Sequence, residues 1–244
     1  MSLVVTSATG PITLQDLGRT GYMHEGVPPG GAIVPTRMIA ANRAAGNRDD
    51  APAIELLGML ALRAESRIEI ATPTGARMLE PGEDLRLHTP SWTYLAVRGG
   101  IARPLLTLVP TRVHTGMRIT PGAEPRVTAP PPPALSEQPL RLIPGPDLDA
   151  FEADALSALC ADKYAVTMPA RTGARLDGTP LARRASYREA SRPMVRGAIE
   201  VARDGKPIVL GPDHPTIGGY PVIAVIASDD VERVFAQPSV RFTT

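Results

Sequence analysis

The sequence predicts a mainly β fold with a few short helices, laid out in two halves, and three observations carry that prediction. Glycine (22) and proline (27) together supply 49 of the 244 residues. Proline lacks the N–H that a helix interior or a central strand needs, so turn residues at this density imply short elements and many loops. Short apolar runs recur along the chain, and several alternate apolar with polar residues, the two-residue period of a half-buried strand. Four consecutive prolines, Pro130 to Pro133, then form a stiff spacer that neither helix nor sheet ladder can continue. They place a linker at residues 129–137, with β-rich halves at 1–128 and 138–244.

Strands are predicted at Ser2–Ser7, Ser66–Thr72, Leu85–His88, Thr93–Arg98, Leu140–Ile143, Ala198–Ala202, Pro207–Leu210, Val222–Ala227 and Val240–Phe242. Pro207–Leu210 and Val222–Ala227 are apolar throughout, as strands covered on both faces are. The first helix starts at Pro35, a tolerated first-turn proline, and stops at Gly46–Asn47. Asp149 with Glu152 three residues later has capping-box spacing and opens a second, with Phe151, Ala155, Leu156 and Leu159 as its apolar face. A short third helix follows Asp229 and Asp230. With aromatics at 4%, the core is built from aliphatic side chains.

Composition also excludes functions. The net charge is +1, lysine occurs only at Lys163 and Lys206, and no basic run appears, so the counterion-displacing stripe of a nucleic-acid binder is missing. The single cysteine, Cys160, rules out an internal disulfide and reads as a small buried hydrophobe in a helix. No stretch approaches the roughly 20 apolar residues that span a bilayer, and the N-terminus has no basic leader, so a cytoplasmic protein away from membranes is expected. His24, His88 and His114 show no metal-ligand spacing with one another, and no phosphate-cradling glycine motif or biotin-carrier motif occurs.

The run Gly10-Pro11-Ile12-Thr13-Leu14-Gln15-Asp16-Leu17-Gly18-Arg19-Thr20-Gly21-Tyr22 resembles the opening signature of the allophanate hydrolase subunit 2 family, which covers the C-type subunit of 5-oxoprolinase and part of the urea carboxylase carboxyltransferase domain. The resemblance continues in order through Gly26-Val27-Pro28-Pro29-Gly30-Gly31-Ala32, Ala41-Asn42-Arg43, Gly46-Asn47, Ile54-Glu55, Tyr94 to Ile101, Leu142 to Pro146, Arg175 to Gly178 and Gly218-Gly219-Tyr220-Pro221. It implies two cyclophilin-like β-barrel subdomains. It also implies a heteromeric 5-oxoprolinase or biotin-dependent carboxyltransferase type of enzyme. Such an enzyme acts on a small lactam or amide beside a companion, the B-type subunit of 5-oxoprolinase, with ATP or carboxybiotin supplied through that partner. This chain departs from the family at Val34, usually Asp, at Pro169-Ala170 and at Asp213-His214-Pro215-Thr216-Ile217. The apolar Pro104–Pro110 stretch stands where a polar loop is usual.

Candidate residues follow from both readings. Gln15, Asp16 and Arg19, between Gly18 and Gly21, sit at a predicted tight turn. They either hold the carboxylate and amide of a lactam or form an Asp–Arg pair that pins the turn. Gly218 and Gly219 either let backbone N–H groups approach a ligand or serve a positive-φ turn, with Tyr220 offering a hydroxyl or capping the core. His214, near Asp213 and Thr216, is either an acid–base pair with the carboxylate or a surface histidine. The resemblance adds Tyr22, Asn42, Glu55, Arg171 and Thr216 to the substrate-binding set, and Asp16, Arg19 and His214 as the catalytic candidates. The competing readings are a non-catalytic relative that keeps a binding or regulatory surface, favoured by Val34 and the apolar stretch, and a peptide-binding module.

Overall fold

The computed structural model describes residues 2–102 and 111–244, so the apolar Pro104–Pro110 stretch lies outside the described residues. The chain forms two compact units: residues 1–18 with 34–134, and residues 19–33 with 135–244.

The first unit contains β1 (Leu3–Thr9), β2 (Ile12–Gln15), β3 (Ala53–Ala64), β4 (Ile68–Thr72), β5 (Gly75–Leu79), β6 (Asp84–Val97), β7 (Thr111–Arg112) and β8 (Arg118–Ile119). They make one sheet in the order β5-β4-β6-β3-β1-β8, with β2 lying on β3 and β7. Leu3, Val5, Ile54, Leu56, Leu60, Leu62 and Leu95 fill its aliphatic core. The two strands expected within 85–98 are one continuous strand, β6, because β3 runs beside it on both sides of a register shift at Leu56/Gly58. That shift breaks the alternation along β3, which is why the periodicity did not announce it. Where β1 and β3 cross, Gly10 (φ +108°) and Gly58 (φ +117°) face each other's chains: a Cβ on Gly10 would lie 2.3 Å from the Leu57 carbonyl oxygen, and one on Gly58 2.4 Å from that of Thr9.

Helix α1 (Pro35–Ala45) begins and ends where expected, closed by Gly46 in the left-handed conformation with its N–H on the Arg43 carbonyl. Val34 is the N-cap and supplies no side-chain acceptor.

The second unit is a closed barrel. Its strands are β9 (Leu140–Pro144), β10 (Lys163–Thr167), β11 (Gly173–Asp177), β13 (Ala198–Val201), β14 (Pro207–Leu210), β16 (Val222–Ile226) and β17 (Ser239–Thr243), and a separate ribbon pairs β12 (Arg192–Pro193) with β15 (Ile217–Gly218). The ring order is β10-β11-β14-β13-β16-β9-β17, closed by β17 against β10. This is the mainly β architecture expected. The second helix departs from expectation. Residues Leu148–Ala150 form a 3₁₀ turn, Phe151 is extended and bridges to Arg183, and α2 (Ala155–Ala161) starts only after Asp154. Pairing of the Phe151 backbone overrides the capping-box spacing. Helix α3 (Val231–Ala236) follows Asp230 as expected, and Cys160 is half-buried in α2.

Candidate functional site

The residues of the first unit that the resemblance singles out are tied into its framework. Gln15 ends β2, is 3% exposed, and donates from Nε2 to the Thr13 hydroxyl at 2.9 Å. Asp16 accepts the Gly18 N–H at 2.8 Å, the side-chain-to-backbone bond that closes an Asx turn around Gly18 (φ +88°). Asn42, fully buried on α1, donates to the Ala51 carbonyl at 2.8 Å. Glu55 is fully buried and accepts the Tyr94 hydroxyl at 2.7 Å, while the same hydroxyl accepts the Val34 N–H at 2.9 Å. A relay of backbone N–H, phenol and carboxylate therefore anchors the start of α1.

In the second unit, residues 19–33 are fastened at three points. Arg171 grips Asp213 with both ends of its guanidinium, at 2.6 and 2.9 Å, and donates to the Gly31 carbonyl at 2.8 Å. Arg196 donates to the Ile33 carbonyl at 3.1 Å, and the Gly30 N–H reaches the Pro212 carbonyl at 2.9 Å. Arg19 lies on the same segment, its backbone N–H on the Pro29 carbonyl and its guanidinium against Gly30, where a Cβ would come within 3.3 Å of Nη1. Tyr22 is 42% exposed and its carbonyl closes the turn to Glu25.

His214 is 1% exposed, which corrects the reading of it as a surface histidine. Its Nδ1 lies 2.8 Å from the Pro215 carbonyl, which can only accept, so the neutral ring carries its proton there; Nε2 is buried with no hydrogen bond among the described residues. Burial, reinforced by the Arg196 guanidinium, pushes the ring's pKa down. Asp213 is spent on Arg171, so the proposed His–carboxylate pair is replaced by an Arg–carboxylate pair beside a neutral histidine.

Beyond this buried layer lies a pocket of about 260 Å³, entirely within the second unit and lined by Glu189, Met194, Glu200, Leu210, Pro215, Gly218, Gly219 and Tyr220. Three residues of the Gly-Gly-Tyr-Pro motif meet there. Neither Gly218 nor Gly219 has a positive φ, so the turn explanation for them falls away. Close approach is what Gly218 provides, since a Cβ would lie 2.7 Å from the Met194 methyl. At Gly219 a Cβ would meet nothing within 4 Å, so its backbone faces open space. Tyr220 is 37% exposed, and the Thr216 carbonyl accepts the Met194 N–H at 3.0 Å, holding the floor in place.

Sequence reasoning missed Glu200. On β13, Ile199 and Val201 are fully buried, and Glu200 projects to the opposite face with Ala198, whose neighbours are Met194, Leu210 and Val222. Its only sequence signal is one charge inside an apolar strand. Burial pushes its carboxyl pKa up. Among the described residues, no group of three or more His, Cys, Asp or Glu side chains could hold a metal ion, and no helix is long and apolar enough to cross a membrane.

Comparison with known proteins places the chain in a family. The family model for the carboxyltransferase domain, subdomain A and B, matches residues 105–242. The chain is 29% identical to the C-type subunit of 5-oxoprolinase from Escherichia coli, over 93% of this chain and 84% of that protein. It is 26% identical to the protein of the same name from Haemophilus influenzae, over 90% and 82%. The crystal structure of TTHA0988 matches with a TM-score of 0.82 at 25% identity, covering all of this chain and 55% of the other. The Kluyveromyces lactis urea amidolyase has a TM-score of 0.84 at 23% identity, a likeness of fold in which this chain spans 18% of the larger protein.

Proposed function

Since this chain belongs to the family of carboxyltransferase domains with subdomains A and B, we propose that it is one subunit of a heteromeric 5-oxoprolinase-type enzyme that acts on a small lactam or amide. The observation that carries the reading is the pocket in which the Gly218-Gly219-Tyr220 motif and Glu200 converge. Its size suits a small ring, its walls are largely apolar, and its polar groups sit where an amide edge needs partners: the open backbone at Gly219, a phenol, and a carboxyl. Two relatives named as the C-type subunit of 5-oxoprolinase support the same assignment.

ATP or carboxybiotin is the co-reactant that such enzymes imply. The charged side chains lining this pocket, Glu189 and Glu200, are both acids, so a triphosphate or a carboxylated cofactor does not fit here, and no step is routed through one. On this reading, a companion resembling the B-type subunit of 5-oxoprolinase supplies that co-reactant, in the cytoplasm. What this chain contributes is a strand-borne pocket that orients the amide.

The test is to co-express the chain with its companion and measure 5-oxoproline turnover. The complex should form stoichiometrically and turn over, and Tyr220→Phe should weaken turnover without dissociating it. A stable complex inert toward lactams and small amides alike would overturn the reading. It would then favour a non-catalytic binding module, the alternative supported by Val34, which is fully buried at the α1 N-cap where the family usually has Asp.

A further inference from the structure

We infer that Glu200 is the proton-transfer residue of this pocket, while Glu189 in the same lining is held in ion pairs; the inference rests on the reading of the pocket as the amide site. The two glutamates share one lining but have opposite surroundings. Glu189 sits between guanidinium groups, 2.5 Å from Arg183 and 3.7 Å from Arg203. Glu200 has no ion pair and no hydrogen bond among the described residues. It shares the lining with the apolar Met194 and Leu210 and is paired across the sheet with Val222. The other titratable side chains lining the pocket are Glu189 and Tyr220.

The consequence for protonation follows. Burial alone raises the Glu200 carboxyl, with no charged neighbour contributing, whereas the Arg183 hydrogen bond, ahead of every other influence, lowers Glu189. Two carboxyls pushed in opposite directions within one pocket are the arrangement that assigns one to proton exchange and the other to fixed charge. Placement favours Glu200 as well. Its strand is paired on both sides, to Ile208 of β14 and Val222 of β16, so the carboxyl projects from a framework that cannot drift.

The proton account of the step closes on Glu200. The Glu200 carboxylate takes a proton from a water whose oxygen bonds to the amide carbonyl carbon. As the C–N bond breaks, the same proton passes to the departing nitrogen. Water is added across the amide, and Glu200 returns to its starting state.

The experiment uses the full chain labelled with ¹³C at glutamate carboxyls, with Glu200→Gln and Glu189→Gln identifying the two resonances. Glu200 should titrate above the ordinary glutamate value of about 4.3 and Glu189 below it. A Glu200 resonance at or below that value overturns the inference. Adding 2-pyrrolidone as a lactam probe should shift the Gly219 amide and Tyr220 ring signals. If they stay still, the reading of the pocket fails and the inference with it; if they move while Glu200 titrates normally, the inference alone fails. In the assembled enzyme, Glu200→Gln should lower kcat about 100-fold, and Glu200→Asp should retain turnover with a displaced acid limb. Unchanged kcat and pH profile in Glu200→Gln would overturn the assignment. Should that variant not fold, the wild-type titration and the Asp variant decide.

Discussion

The guanidinium of Arg171 donates to the carbonyl of Gly31, 140 residues earlier in the chain, at 2.8 Å, while its other contacts clamp Asp213. With Arg171 10% and Asp213 21% exposed at their side chains, the pair is largely removed from water. Loss of one partner from such a pair leaves a carboxylate poorly compensated, a cost of about 3 kcal/mol. Arg171→Ala should therefore lower the urea midpoint and speed hydrogen exchange at Gly30, which neighbours Gly31 and whose N–H donates to the Pro212 carbonyl. Unchanged exchange at Gly30 would show that the segment is held without Arg171.

The Gly10–Gly58 crossing predicts an unusually costly small substitution. Gly58→Ala would place a methyl 2.4 Å from the Thr9 oxygen at a φ of +117°. Left-handed backbone alone costs an L-residue roughly 1–2 kcal/mol, and the collision adds to that. Gly82→Ala, also at positive φ but with open space around it, should cost less in chemical denaturation. Equal losses for the two would remove the steric part of the argument.

Tyr94→Phe tests the relay behind α1. The change keeps the ring's packing but removes the acceptor of the Val34 N–H and the donor to Glu55. Buried polar groups deprived of such a partner cost about 1–3 kcal/mol each, so thermal unfolding should shift down measurably. A shift no larger than that of Tyr187→Phe, whose hydroxyl bonds Asp147 in a part-buried setting, would argue against a special role for the relay.

His214 gives stability a pH dependence of definite sign. Its folded-state pKa lies below the ordinary 6.5, so as pH falls through that value the unfolded chain takes up a proton that the folded chain refuses. Stability contributed above pH 6.5 is lost progressively on acidification until the folded-state pKa is passed. His214→Gln should flatten the slope of unfolding free energy as pH falls below about 6.5. An unaltered slope would place the titration elsewhere.

What the sequence made legible, and what it hid, divides along physical lines. Strands with clean alternation or solid apolar runs, such as Pro207–Leu210, appear where the pattern put them. Helix α1 does too, because Pro35 and Gly46 are local signals acting within one turn. Strand β3 was hidden because its bulge shifts the phase midway, and the second helix was misplaced because a long-range backbone bridge at Phe151 outweighs a three-residue spacing. At the candidate site, the Gly-Gly-Tyr motif was visible as a motif. Glu200 was not, since an acid within a strand looks like any solvent-facing position until the apolar cluster around it is known. The burial of His214 was equally unreadable, because it depends on packing rather than on its neighbours in sequence.

The assignment of residues 19–33 to the barrel-bearing unit means that neither unit is an uninterrupted stretch of chain. A single cut in the proline run would strand those fifteen or so residues on the wrong fragment, removing the Gly31 and Ile33 carbonyls to which Arg171 and Arg196 donate. The halves therefore could not have been exchanged between genes as intact cassettes, nor can they be expressed separately by choosing one breakpoint. A working split of this protein would need its pieces to find each other and trade that segment during folding, or a permuted gene that moves it next to residue 135.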